Sequence, residues 1–301
     1  MHLTSVFRPH KWAKLIVDQG LADWLKDEEF LKLRYYGEMG KRLNLKNPAT
    51  FNEKLQWLKL HNRNPEYTRL VDKYQVRQYI ADTIGPEYLI PLLGVWDDPD
   101  EIDFDKLPDR FVLKCNHNSG LGMCICKDKS QLDFEKVRRD LRRGLQQDYY
   151  KIGREWPYKD VPRKIICEQY MEDGSGELKD YKVLTFNGEP KLIELHQGRF
   201  TKHTQDFYDC NWELTTISQV GEPRGASPSP KPDCFEEMIA LTRKVGEKMP
   251  HVRVDWYIIQ NHLYFGEITF FDASGFDPFD DPSDDCLLGS WIRLPKEKHA
   301  G

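Results

Sequence analysis

No stretch of the sequence comes near the roughly 18 consecutive apolar residues that a membrane-spanning helix needs. With 39% hydrophobic and 31% charged residues, the composition is instead that of an ordinary globular chain. The opening stretch MHLTSVFRPHKWAKLIVDQG is positively charged, yet Lys14 and Asp18 break up its apolar residues, so it lacks the continuous core of a secretion signal. A cytoplasmic location is the expectation. Cysteine is sparse and unpatterned: Cys115, Cys124, Cys126, Cys167, Cys210, Cys234 and Cys286 are odd in number and include no C-x-x-C pair. That spacing argues against a disulfide framework and against a zinc site. An excess of positive charge is missing too, the formal net charge being −5. General nucleic-acid binding, which depends on Lys and Arg meeting phosphates, is therefore not expected. There is no internal repeat and no low-complexity segment, although GEPRGASPSPKP is a Pro-rich loop suited to a flexible crossing.

What is present reads as a helical front and a mixed rear. A chain of 301 residues is long enough for a sizeable core and about two domains. Residues from about 10 to 36 read as one or two short helices rich in Trp, Leu and Tyr. In NPATFNEKLQWLKLHN, Thr50 followed by Glu53 forms a capping box ahead of Leu55, Leu58 and Leu60, which predicts a helix start. YTRLVDKYQVRQYIADTIGP predicts a second helix, stopped by Gly85 and Pro86, and then a short strand around Tyr88–Ile90. EKVRRDLRRGLQQ places Val137, Leu141 and Leu145 four residues apart, an amphipathic helix whose basic face is solvated rather than a binding patch. From Arg110 onward the pattern turns to short β-type runs: RFVLKCN, GMCICKD, KIICEQYM, KDYKVLTFNG and PKLIELH. Asn187-Gly188, between the last two, is the strongest hairpin signal in the chain. A final helix, DCFEEMIALTRKVGEKM, precedes a last hairpin.

Two stretches carry candidate chemistry. In RFVLKCNHNSGLGMCICKD, Lys114 ends a strand ahead of a loop holding Gly120 and Gly122. Glycines admit an anion close to the backbone, and Lys supplies a point charge. The order differs from a Walker A loop, where Lys follows the glycines and opens a helix. A Gly-rich hairpin turn with Lys at its edge is the plainer reading. The second stretch is HVRVDWYIIQNHLYFGEITFF. Val252, Val254 and Trp256 alternate with Arg253, Asp255 and Tyr257, and after the turn Glu267 and Thr269 share a face of the returning strand. Paired strands would bring Asp255 and Glu267 together. Two neighbouring carboxylates repel unless a cation lies between them, and hard oxygen donors suit Mg²⁺. An ion pair of either carboxylate with Arg253 on an exposed hairpin is the alternative.

Lys73 in VDKYQVRQYI, Lys114 in FVLKCNHNSG, the segment IICEQYMED, and VRVD followed by YFGEIT occur in the order seen in ATP-grasp proteins. More narrowly, NPATFNEKLQWLKL, LVDKYQVRQYI, FVLKCNH, GREWPYKD, CEQYMED, GELKDYKVLTFNGEPKLI and VRVDWY resemble the TupA-like branch, which is associated with teichuronopeptide and other bacterial surface-polymer synthesis. The resemblance runs from about residue 40 to residue 275. It implies an α+β fold: a helical N-terminal region (1–105), a small α/β lid (106–170) and a larger antiparallel-sheet C-terminal domain (171–301).

The resemblance also implies roles. Lys73 and Lys114 resemble the two lysines that hold ATP phosphates. The loop from Asn116 through His117, Ser119 and Gly120 to Gly122 resembles the flap that closes over the triphosphate. Glu168, Gln169, Tyr170 and Met171 resemble the hinge whose backbone meets the adenine edge. Either Glu177 or Asp180 would meet the ribose, and Lys182 would add a phosphate contact. Asp255 and Glu267 resemble magnesium ligands, and Arg253 the arginine that neutralises charge in the transition state. Thr269 departs from the pattern, since many ATP-grasp enzymes have Asn there and a hydroxyl is the poorer ligand.

The activity so implied is ATP- and Mg²⁺-dependent joining of a carboxylate to an amine through an acyl phosphate. The partners would be a small-molecule or glycan-linked carboxylate and an amine, with peripheral association with an envelope-synthesis assembly. In ELHQGRFTKHTQDFYD, Arg199 and His203 suit an acidic acceptor such as a uronic acid or acidic amino acid; a polar surface loop is the plainer reading. His196 reads equally as a satisfied strand-edge histidine, and GFDPFDDPSDD as a solvated acidic loop. Two other classes stay open: a kinase of the same fold, and a glycosyltransferase using Asp103 and Asp105 as a D-x-D motif. The latter is disfavoured because DEIDFDKLPD reads as a charged linker.

Overall fold

A computed structural model of the chain describes residues 9–174, 178–198 and 201–296. Five helices come first: α1 (Pro9–Asp18), α2 (Asp27–Met39), α3 (Phe51–His61), α4 (Glu66–Val71) and α5 (Val76–Thr83). The start of α3 is where the capping box predicts. Glu53 N donates to Thr50 Oγ1 at 3.3 Å and Thr50 N donates to Glu53 Oε2 at 3.2 Å, so two helix-end donors satisfy each other. The second helix, expected to run unbroken, is interrupted at Asp72. There the carboxylate accepts from Tyr74 N at 2.8 Å and Gln75 N at 3.3 Å, a local turn that competes with the helical ladder. Lys73 is left on the corner, with its backbone N–H donating to Asn116 O at 3.1 Å.

The strand expected around Tyr88–Ile90 is instead a 3₁₀ turn, Pro86–Tyr88, followed by β1 (Leu92–Trp96). Next come β2 (Phe111–Cys115), β3 (Cys124–Cys126), α6 (Phe134–Gln146), α7 (Tyr150–Gly153) and β4 (Ile165–Gln169). They form a four-stranded antiparallel sheet of order β1-β4-β2-β3. α6 lays Val137 and Leu141 against Phe111, Leu113, Ile165 and Cys167, while Arg139, Arg142 and Arg143 face solvent as its spacing predicts. Because β1 joins this sheet, the smaller unit begins before residue 106, and the first 105 residues are not all helical.

The larger sheet contains β5 (Asp180–Phe186), β6 (Glu189–Gln197), β7 (Thr204–Asp209), β8 (His251–Ile259) and β9 (His262–Thr269), in the order β7-β6-β5-β8-β9, all antiparallel. α8 (Phe235–Val245) precedes β8 and α9 (Pro282–Trp291) closes the described chain. The β5–β6 turn places Asn187 at φ 53° and Gly188 at φ 85°, the left-handed pair that a two-residue hairpin requires. One face of the sheet, with Val183, Ile193, Val254 and Trp256, packs on α8, and Trp256 Nε1 donates to Thr242 Oγ1 at 2.8 Å. The other face is apolar at one end, where Phe186 and His251 pack on Phe51 of α3, and charged at the other. The acidic stretch after β9 is not simply solvated. Asp281 caps α9, and buried Asp285 accepts from Asn52 N at 2.9 Å. No helix among the described residues is long and apolar enough to cross a membrane.

Candidate active site

The charged end of the larger sheet is built by register. Opposed residues on neighbouring strands share a face, and the pairs Lys182–Glu194, Lys182–Asp255 and Arg253–Thr269 put a row of polar side chains across β6, β5, β8 and β9. Between Val254 and Trp256 the register slips, so that Gly266 and Glu267 together oppose Asp255. Gly266 leaves little room there, since a Cβ would lie 3.1 Å from Asp255 O and 3.2 Å from the Tyr257 ring. The bulge sets Glu267 beside Asp255, as the hairpin pattern predicts.

Arg253 binds both. Its guanidinium grips Asp255 in two-point fashion, at 2.7 and 2.8 Å, reaches Glu267 Oε1 at 3.2 Å, and pairs with Asp272. Burial alone would lower the arginine's pKa, but the three carboxylates raise it well above the ordinary value. Burial lifts Asp255 to about 6 against the pull of Arg253. Glu267 is also disfavoured by burial, yet Lys73 and Arg253 outweigh this and hold it at about 2. Lys73 Nζ lies 3.2 Å from Glu267 Oε2 and donates to Asn118 O at 3.1 Å, so one ammonium ties the larger sheet to the loop of the smaller one. Thr269 Oγ1 donates to Glu267 Oε1 at 3.3 Å.

Facing this row, Lys114 of β2 meets Glu168 of β4 at 2.6 Å, and Arg77 holds the other oxygen of that carboxylate at 3.3 Å. Between the sheets is a cavity of about 150 Å³. Ile90, Val112, Met123, Ile125, Leu178 and Tyr257 give it apolar walls, and Lys114, Glu168, Gln169, Tyr170, Met171 and Asp180 line it as well. Lys114 and Lys127 thus stand on its wall beside apolar surface, a lining that can take an apolar ring joined to an anion.

Several expectations need correction. Asn116 and His117 do not turn toward the cavity. Asn116 is fully buried, donating to Asp72 Oδ1 and Pro162 O and accepting from Lys164 N, while buried His117 contacts Gln147 O through Nε2. A short polar side chain beside a glycine loop looks the same in sequence whether it holds a ligand or pins the loop. Asn118 donates to Gly144 O, and Gly122 sits so close to Gly144 that a Cβ would lie 2.9 Å from its Cα. The expected flap therefore narrows to Ser119, Gly120 and Leu121, all exposed. Glu177 and Arg199 lie outside the described residues. Lys182 reaches Glu194 Oε1 at 3.6 Å and His196 Nε2 at 2.9 Å, and His203 stacks on His196. Asp103, of the D-x-D alternative, caps a 3₁₀ turn by accepting from Asp105 N at 3.2 Å and pairs with Lys106 at 3.0 Å.

The sequence reading missed Arg77 and Asp272. Arg77 stands four residues after Lys73, and Asp272 three after Thr269, just before Ala273 and Ser274 take up left-handed φ values of 44° and 56°. Nothing in their immediate neighbours marks them.

The donor set fits Mg²⁺. Asp255 and Glu267 are hard carboxylate donors gathered on one cation, with the Thr269 hydroxyl beside Glu267, and Mg²⁺ commonly takes one or two carboxylates, leaving the remaining positions to waters and phosphates. Among the described residues, no group of three or more His, Cys, Asp or Glu side chains is placed to hold a metal ion.

The family model described as TupA-like ATPgrasp matches residues 53–293. No curated protein matches the sequence. Among solved structures, a D-alanine–D-alanine ligase from Helicobacter pylori is 14% identical at a TM-score of 0.44, over 82% of this chain and 70% of that one. The ATP complex of the Bacillus anthracis D-alanine–D-alanine ligase is 16% identical at 0.38, over 67% of this chain and 55% of that one. An ADP complex of N5-carboxyaminoimidazole ribonucleotide synthetase is 13% identical at 0.43, over 72% of this chain. The chain spans only 50% of the length of that synthetase.

Proposed function

The chain belongs to the TupA-like ATP-grasp family, and from that premise we propose that it is an ATP- and Mg²⁺-dependent carboxylate–amine ligase. The observation that carries this reading is the gathering of Lys73 and Arg253 on the Asp255–Glu267 pair, with Lys114 lining a cavity that has apolar walls. In this reading Ile90, Val112, Met123 and Tyr257 enclose the base, and the backbone of Tyr170 and Met171 meets its edge. Asp180 lies toward the ribose. Lys73, Lys114 and Lys182 bind phosphate oxygens, and Ser119 to Leu121 close over them.

Asp255, Glu267 and Thr269 would hold the metal. Bound Mg²⁺ supplies positive charge to the triphosphate as the bond to the leaving ADP breaks. An acceptor carboxylate attacks the γ-phosphorus, and Arg253 with Lys73 and Lys114 offsets the charge that gathers there. The resulting acyl phosphate is open to hydrolysis, so excluding water by closure of the exposed Ser119–Leu121 segment is a requirement. An amine then displaces phosphate and leaves an amide. Holding carboxylate and amine together accounts for on the order of 7 kcal/mol of barrier reduction. The acceptor class best suited to His203 and its surroundings is a uronic acid or acidic amino acid, in the setting of surface-polymer synthesis and on the cytoplasmic side.

Two measurements test this. MgATP is expected to raise the melting temperature, whereas a UDP-sugar with Mn²⁺ is not. Glu267→Gln, which keeps the side-chain volume, is expected to remain folded and lose ADP formation; turnover at the wild-type rate in that variant contradicts the assignment. An amide among the products supports ligation, and a stable phosphorylated product without an amide would make the protein a kinase.

A further inference from the structure

A line of four titratable side chains runs from the buried row of the larger sheet to its rim. Glu194 Oε1 is in contact with His196 Nε2, His196 Nδ1 lies 2.8 Å from His203 Nε2, and His203 Nδ1 lies 3.0 Å from Glu222 Oε2. The inner end is fixed. Glu194 is 3% exposed, accepts from Gln205 Nε2 at 2.7 Å and lies 3.6 Å from Lys182 Nζ, which is also 2.9 Å from His196 Nε2. The outer end is open, the His203 and Glu222 side chains being 35% and 37% exposed.

An ionised carboxylate only accepts, so Glu222 takes an N–H from His203 Nδ1, and the nitrogen–nitrogen contact behind it holds one more N–H between the two rings. Burial opposes ionisation of Glu194, but Lys182 and His196 hold it well below the carboxylate range, so it is the acceptor at the inner end. Glu222, by contrast, is brought to the rim by a separate loop, and any carboxylate of similar reach would satisfy His203 equally well.

We propose that this rim is the subsite for a carboxylate of the acceptor, and that Glu222 stands in the substrate's place on His203 until the acceptor displaces it. The proposal rests on the ligase reading and deepens it. Acceptors are those bearing a carboxylate, such as uronic acids, and neutral sugars are passed over because they leave the His203 N–H without an anionic partner. Glu194 and Lys182 continue the line to the strand that carries Asp255, so an acceptor anchored at His203 extends over the sheet toward the phosphoryl end of the cleft.

The test is calorimetric titration of the full chain with sodium glucuronate, using glucose as the neutral counterpart and sodium chloride as the ionic-strength control. Glu222→Ala, at an exposed position, is expected to bind glucuronate about fivefold tighter or more than the wild type, since no internal competitor remains. His203→Asn is expected to lose the binding, and glucose to bind none of the three proteins. Equal binding by wild type and Glu222→Ala, undiminished binding by His203→Asn, or no binding by Glu222→Ala overturns the proposal. MgATP melting shifts on the same samples separate the two readings. A normal MgATP response with failed glucuronate discrimination removes the subsite alone, whereas a wild type indifferent to MgATP removes the ligase reading.

Discussion

Replacing Arg253 by Met removes one charge and leaves three carboxylates facing one another. The side chains of Arg253 and Asp255 are each 9% exposed, that of Asp272 is 6% exposed, and that of Glu267 is 32% exposed. Asp255 and Asp272 therefore lose their guanidinium partner where water does not replace it, while Glu267 retains Lys73 at 3.2 Å. Deleting one member of a buried ion pair costs about 3–5 kcal/mol, because the remaining charge is left unpaired. Protonation of Asp255, already lifted to about 6, relieves part of that cost, so the low end of the range is expected near neutral pH. At about 2–4 °C per kcal/mol for a chain of this order of size, the melting temperature of Arg253→Met should fall by roughly 6–12 °C in metal-free buffer. Millimolar Mg²⁺ should restore more of this loss in the variant than it adds to the wild type, since a divalent ion then supplies the missing charge. Differential scanning calorimetry with and without Mg²⁺ measures both. A variant melting within about 1 °C of the wild type would refute the argument that the guanidinium holds the carboxylates together.

Three further outcomes follow from buried groups. His251 is 2% exposed and burial lowers its pKa to about 3 from 6.5, so the unfolded chain binds a proton that the folded one does not. Stability should be lost as pH falls from 6.5 toward 3, by about 2 kcal/mol between pH 6.5 and 5, and urea titrations of His251→Phe should show a shallower loss over that window. Lys59, fully buried, donates to Gly153 O at 2.7 Å and Ser274 O at 2.8 Å; Lys59→Ala should destabilise by about 3–5 kcal/mol in the same assay, and adding Glu155→Gln should recover part of it. Thr50→Ala removes a cap and should cost about 1 kcal/mol without altering nucleotide binding.

The legible parts of this molecule were those whose cause is local. Thr50 and Glu53 announce the start of α3, Asn187-Gly188 the hairpin, and the alternation of Val252 to Trp256 the face on which Arg253 and Asp255 stand. The illegible parts depend on residues far apart in the chain. Leu92–Trp96 becomes a strand of the smaller sheet because β4, some seventy residues on, pairs with it. Lys59 looks like a surface residue of an amphipathic helix, and only the packing of Phe271, Phe276 and the 153 and 274 carbonyls around it shows otherwise. Asp72 breaks a helix that propensity would continue, because its carboxylate also accepts from Asn116 Nδ2 at 2.8 Å. That long-range bond also explains why Asn116 belongs to the scaffold of the loop rather than to its ligand face.

The most direct measurement is a crystal structure of the protein with Mg²⁺ and a non-hydrolysable ATP analogue. The account predicts a metal ion bridging the Asp255 and Glu267 carboxylates to phosphate oxygens, with the base between Val112 and Tyr257. A triphosphate bound elsewhere, with both carboxylates still closed on Arg253 and no metal beside them, would contradict it.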